Sequence, residues 1–348
     1  MKLTYRILLI FMVLVLALTA CQTQTITPGA PTQPVIVSPT APAGPTPTTE
    51  TETAEDVLYL NLMWHQHQPL YYKDENGVYT RPWVRVHATK DYYDMAYLVS
   101  QYPNVHVTFN LTPVLLRQLE DFVNNGAKDL YWVMTEKPAN QLSEDDKRFI
   151  LQRFFDANWE KLIGRYPRYK ELLEKRGGTD AEAIQNALTT FTEQDFRDLQ
   201  IWWNLVWFDP MFLNQPPLKD LVEKGRNFSE EDKEIIFQEA RRIMAETVPL
   251  HRKLQETGQI EVTTTPYAHP ILPLLIDTNL QAKGNPGSDL PQKFSYPQDA
   301  LTHLQRSVAL YEENFGQPPR GLWPGEGAVA QDHGAFRSAS RLFVDGNR

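Results

Sequence analysis

The chain has 348 residues, 42% hydrophobic and 22% charged, with 43 acidic against 34 basic side chains and a formal net charge of -9. That length holds one large domain or two ordinary ones. The composition is that of a soluble globular protein, and without a basic stripe it argues against nucleic acid as a partner.

Lys2 and Arg6 precede an uncharged apolar stretch from Ile7 to Ala20, too short to span a membrane comfortably. It reads as a secretory signal. The stretch closes on Leu18-Thr19-Ala20-Cys21, and Cys21 is the only cysteine. This resembles the lipobox of bacterial lipoproteins, which implies cleavage and a lipid-modified Cys21. The expected location is then the outer face of the bacterial cytoplasmic membrane, or the periplasm or cell surface. Residues 22–55 hold seven Pro and ten Thr with no aromatic, Lys or Arg, a composition expected to remain an extended, disordered tether. A single domain over 56–332 and an atypical tail over 333–348 complete the expected organisation.

Val57 to Trp64 is a β-rich apolar run, a candidate buried strand. Directly after it stand His65-Gln66-His67-Gln68-Pro69, and Pro69 stops any ladder. Imidazoles at i and i+2 share a face of extended chain. Val105–Leu111 reads as a second strand, followed by a helix through Val114, Leu115, Leu119 and Phe122. Ser143 opens a helix carrying Phe149, Leu151, Phe154, Phe155 and Trp159, and Ser229 opens another that ends at Gly258. Between them, with Thr192 as upstream cap, Trp202, Trp203, Trp207 and Phe208 fall within seven residues. They read as a buried helix or, alternatively, as part of a sugar-binding groove. Gln259–Thr265 is the third strand, stopped by Pro266, with Tyr267 and His269 just beyond. A helix from about Pro297 to Gly316 precedes a short fourth strand, Gly321–Pro324, and Gly325-Glu326-Gly327. Strand, polar motif, helix recurs throughout, so parallel strands would place these motifs at one end of a sheet.

Glu326 sits between glycines that permit close backbone approach, and a carboxylate there can act as nucleophile or base. Trp323 beside it suits a pyranose ring. His65 and His67 also have a familiar metal-ligand spacing, but His269 and Asp209, the available further ligands, fit no recognisable metal pattern. Hydrogen bonding to sugar hydroxyls and plain core packing are the other readings of the pair.

The ordered set His65-Gln66-His67-Gln68-Pro69, Gly258-Gln259-Ile260-Glu261, Tyr267-Ala268-His269-Pro270 and Trp323-Pro324-Gly325-Glu326-Gly327 resembles glycoside hydrolase family 57. Phe191 to Pro210 is similar to the helical part of its amylopullulanase-like members. The resemblance implies a (β/α)7-type parallel barrel with a helical insertion, acting on α-glucans with retention, without a cofactor and usually without a metal. It assigns the nucleophile to Glu326 and sugar contacts to His65, His67, Glu261, His269 and Trp323.

The family's acid/base is an Asp in a later motif, and no Asp in the 22 residues after Glu326 sits in a recognisable one. After Asp332 the sequence lacks a usable apolar stripe. The expectation is a truncated or frame-shifted reading frame, an incomplete barrel and no detectable glucan hydrolysis. Two other functions are carried beside the α-glucan glycosidase or transglycosylase. One is a metal-dependent polysaccharide deacetylase or amidohydrolase-like barrel using His65 and His67. The other is an inactive, surface-tethered glucan-binding module.

Overall fold

The computed structural model describes residue 58 and residues 60–330. Cys21, the expected tether and the tail after Ala330 lie outside the described residues. Three strands form one parallel sheet in the order β1 (Met63–Gln66), β2 (Val107–Leu111), β3 (Ile260–Thr263). The register sets His65 opposite Asn110 and Asn110 opposite Thr263, so these residues form a row across one face. Val107, Phe109, Leu111, Ile260 and Val262 alternate to the other face and are buried.

Each strand is shorter than its apolar run. β1 begins at Met63 rather than near Val57, because its ladder with β2 starts at the pairing of Met63 with Thr108, the second residue of β2. Leu60 and Leu62 before it are exposed. The expected fourth strand is a single parallel bridge, Thr264 to Leu322, made by Thr264 N–H to Gly321 C=O (3.1 Å) and Trp323 N–H to Thr264 C=O (2.8 Å).

Helices α1 (Trp83–Ala88) and α2 (Asp91–Ser100) connect β1 to β2. The β2-to-β3 crossover is a helical insertion: α3 (Pro113–Asn124), α4 (Leu130–Glu136), α5 (Glu144–Arg153), α6 (Pro167–Arg176), α7 (Ala181–Thr190), α8 (Glu193–Leu205), α9 (Pro210–Leu213), α10 (Leu218–Lys224) and α11 (Glu231–Glu256). After β3 come α12 (Leu272–Ile276), α13 (Gln281–Gly284) and α14 (Pro297–Phe315).

Local chemistry explains the helix ends. Ser143 and Thr192 form capping boxes with Asp146 and Asp195. The α5 helix stops at Arg153, so Phe154, Phe155 and Trp159 lie beyond it rather than on it. Helix α11 ends at Glu256, and Gly258 turns the chain into β3 with φ 76°.

The main core joins the sheet's apolar face to the insertion, with Trp132 stacked on Phe237 (centroids 4.4 Å) and Tyr131 on Trp203 (4.6 Å). Trp202 and Trp203 are 1% and 0% exposed, which makes them core and not groove. Only Trp207 of that run is partly exposed, edge-on to Trp83.

Candidate active site

Parallel strands bring their carboxyl ends to one side, and the motif residues follow from that. His65 is the third residue of β1, and His67 lies just past the strand. Asn110 in β2 bridges its neighbours: His65 Nδ1 lies 2.6 Å from Asn110 Oδ1, and Asn110 Nδ2 donates to Thr263 Oγ1 at 3.0 Å. With the amide so oriented, His65 carries its proton on Nδ1 and presents the Nε2 lone pair. Beyond β3, a turn in which His269 N–H bonds Pro266 C=O brings the third imidazole alongside. Ring centroids are 5.3 Å apart for His65 and His67, 4.9 Å for His65 and His269, and 4.4 Å for His67 and His269.

Glu326 joins this cluster, its Oε1 3.6 Å from His269 Nε2. The bridge at Leu322 anchors its segment to the end of β3, and Gly325 then packs directly on the backbone of Pro270. A Cβ on Gly325 would stand 2.3 Å from the Pro270 carbonyl oxygen, so only glycine lets Glu326 approach so closely. Trp323 lies beside His65, with centroids 6.1 Å apart.

Among the described residues, three other than glycine have positive φ: Asn227, His269 (58°) and Glu326 (54°). A left-handed conformation costs energy for such residues, and it concentrates at functional sites when the surroundings hold it in place. Two of the three face each other here.

The electrostatics favour the neutral form at His67 and His269. Burial, with the neighbouring His269 and His65, holds His67 down at about 4, against the opposing pull of Glu326. His269 is also lowered, first by burial and then by His65.

Glu261 is not brought to this cluster. It stands two residues before Thr263 on the same face of β3, toward the amino end. There it borders a cavity of about 950 Å³ also lined by His106, Arg252, Tyr311 and Arg320, and by none of the three imidazoles. Asp209 is elsewhere too, its carboxylate accepting from Met211 N–H at the start of α9. Sequence reasoning missed Asn110, whose role depends on register with strands far away in the chain.

A parallel β/α sheet carrying a carboxylate among imidazoles at its carboxyl ends matches the place where β/α barrels build their active sites. A sequence profile of glycosyl hydrolase family 57 matches residues 61–336, and the chain belongs to that family. Its three parallel strands and helical insertion are therefore part of a (β/α)7 barrel. No curated protein matches it.

Among solved structures it is similar to the α-amylase AmyC from Thermotoga maritima, with 17% identity, 81% of this chain and 38% of that one covered, and a TM-score of 0.39. It is also similar to TK1436, a family 57 branching enzyme from Thermococcus kodakaraensis, with 19% identity, 77% and 33% covered, and a TM-score of 0.35. The branching enzyme from Pyrococcus horikoshii gives 19%, 77%, 34% and 0.32. The aligned part of this chain thus spans between 33% and 38% of those proteins.

Proposed function

We propose that this chain carries the nucleophile side of a retaining glycosidase or transglycosylase acting on α-glucans. The observation that carries this reading is Glu326 Oε1 at 3.6 Å from His269 within the three-imidazole cluster. Glu326 attacks the anomeric carbon and the glycosidic oxygen leaves. Water or a second sugar then takes the glycosyl group from the carboxylate. His65, His67 and His269 hydrogen-bond the hydroxyls of that sugar. His67 and His269, whose pKa values burial lowers, do so without opposing the positive charge of an oxocarbenium-like transition state. Trp323 offers its face to the ring.

Retention also calls for a second carboxyl group about 5–5.5 Å from the first, to protonate the leaving oxygen. Nucleophile and acid are separable by choice of substrate. An α-maltosyl fluoride loses fluoride without a proton, so it reads the nucleophile alone.

The test is Glu326→Gln assayed for fluoride release from α-maltosyl fluoride, with maltodextrin affinity measured in parallel. Loss of turnover with affinity kept is expected. Equal loss of both would make Glu326 structural, and a wild-type chain that binds but never reacts would be a glucan-binding module. Dependence on stoichiometric zinc would favour the deacetylase or amidohydrolase reading instead.

The lipobox-like Leu18–Cys21 and the Pro/Thr-rich 22–55 support export, lipidation at Cys21 and tethering to a membrane surface. Among the described residues no helix is long and apolar enough to cross a membrane. Cys21→Ser should move the protein from the membrane to the soluble fraction. Unchanged fractionation would contradict the anchor.

A further inference from the structure

The imidazole cluster has a chemical capacity beyond holding a sugar. His65, His67 and His269 each offer a ring nitrogen, and the three atoms lie within 4.8 Å of one another. In a tetrahedral site with bonds of about 2.0–2.1 Å, ligand atoms stand roughly 3.3–3.4 Å apart. The His269 Nε2 to Glu326 Oε1 separation of 3.6 Å is already close to that value. The imidazoles need to draw together, and Glu326, which stands near His269 but outside the three-ligand group, must swing in beside them. The tautomer of His65 is set: the Asn110 carbonyl on Nδ1 leaves Nε2 as the lone pair. An outer hydrogen bond of this kind commonly fixes metal-binding histidines.

Three imidazoles and one carboxylate suit zinc and its neighbours in the first transition row, not calcium or magnesium, which take oxygen ligands. With Glu326 as fourth ligand no position stays open for water, so such an ion is not set up to activate one.

The geometry points to a site for one zinc-class divalent ion on His65, His67, His269 and Glu326, where the ion acts as an inhibitor. It occupies the proposed nucleophile and the rings that would hold the sugar. The binding follows from the geometry alone, whereas the inhibition rests on the glycosidase reading.

The experiment titrates the untagged, metal-free full chain with zinc chloride by calorimetry. One ion per chain is expected. His65→Ala, His67→Ala and His269→Ala should each weaken it at least ~10-fold, and Asn110→Ser by about 10–100-fold. His106→Ala, at the opposite end of the strands, should leave it unchanged. His65 is exposed, so its variant keeps the test valid if the others fail to fold. Saturating zinc should suppress reaction with α-maltosyl fluoride, and a chelator should restore it.

Absence of saturable binding below ~1 mM, or binding unaltered in His65→Ala and His67→Ala, overturns the site. If zinc fails to bind while the fluoride still reacts at Glu326, only this inference falls. If zinc proves necessary for reaction, the inhibitory assignment and the glycosidase reading fall together.

Discussion

The helical insertion with α1 and the carboxyl end of the sheet differ in how they hold their charged groups and their backbone. In the insertion and the adjoining α1, the buried charges Arg85 and Arg168 are paired with carboxylates, although Arg176 Nε and Nη2 are buried without a partner. Arg85, 2% exposed, binds both oxygens of Asp129 and donates to Asn204 Oδ1 at 2.9 Å. Arg168 reaches Asp195, Asp198 and Glu171, and Asp195 also caps α8. At the sheet end, burial holds the pKa values of His67 and His269 down, His269 Nδ1 is buried without a hydrogen-bond partner, and the backbone is held left-handed at His269 and Glu326. One region is built to keep its shape. The other holds two of its residues in a strained backbone conformation, as sites of binding and chemistry commonly do.

The sharpest way to break this contrast is through the insertion. Asp129→Ala strands the Arg85 guanidinium in the core and removes the α4 cap to Trp132 N–H. Loss of about 3–5 kcal/mol in urea unfolding is expected. A cost below about 1 kcal/mol would mean the pair is not a structural anchor.

Gly325→Ala tests the sheet end. Its methyl group meets the Pro270 carbonyl, so the Glu326 loop must shift. A loss of roughly 1–3 kcal/mol is expected, with about a 100-fold loss of reaction with α-maltosyl fluoride. Unchanged reaction would show that close approach to His269 is unnecessary.

The smallest effect is pH dependence. His67 is lowered to about 4 in the fold, so between that value and the ordinary 6.5 the unfolded chain binds more protons. The stabilisation is complete above about pH 6.5, is lost as pH falls toward 4, and changes no further below. His67→Gln should remove on the order of 1 kcal/mol of this acid sensitivity, the group being half-buried and partly screened. Identical pH–stability profiles would show that His67 is not held neutral by the fold.

What could be read from sequence divides along the same line. Capping boxes at Ser143 and Thr192, and turns at Gly258 and Gly316, are local and were legible from neighbours in the chain. The motif residues His65, His67, His269, Trp323 and Glu326 were legible as chemistry-bearing side chains at the ends of apolar runs, although the last run forms a single bridge and not a strand. Strand ends were not, because pairing with β2 and not apolarity decides where β1 begins. Asn110 was invisible because its partners are 45 and 153 residues away. Glu261 carries the right motif but sits lower on the strand, a consequence of two-residue periodicity that the motif does not encode. Trp202 and Trp203 were ambiguous because core and sugar platforms use the same rings.

The central claim is that the side chain at 326 is the nucleophile. Incubating the full chain with α-maltosyl fluoride, quenching in acid and digesting should yield a maltosyl-modified peptide with the added mass on Glu326. The same mass on another carboxylate, or its persistence in Glu326→Gln, would contradict the account.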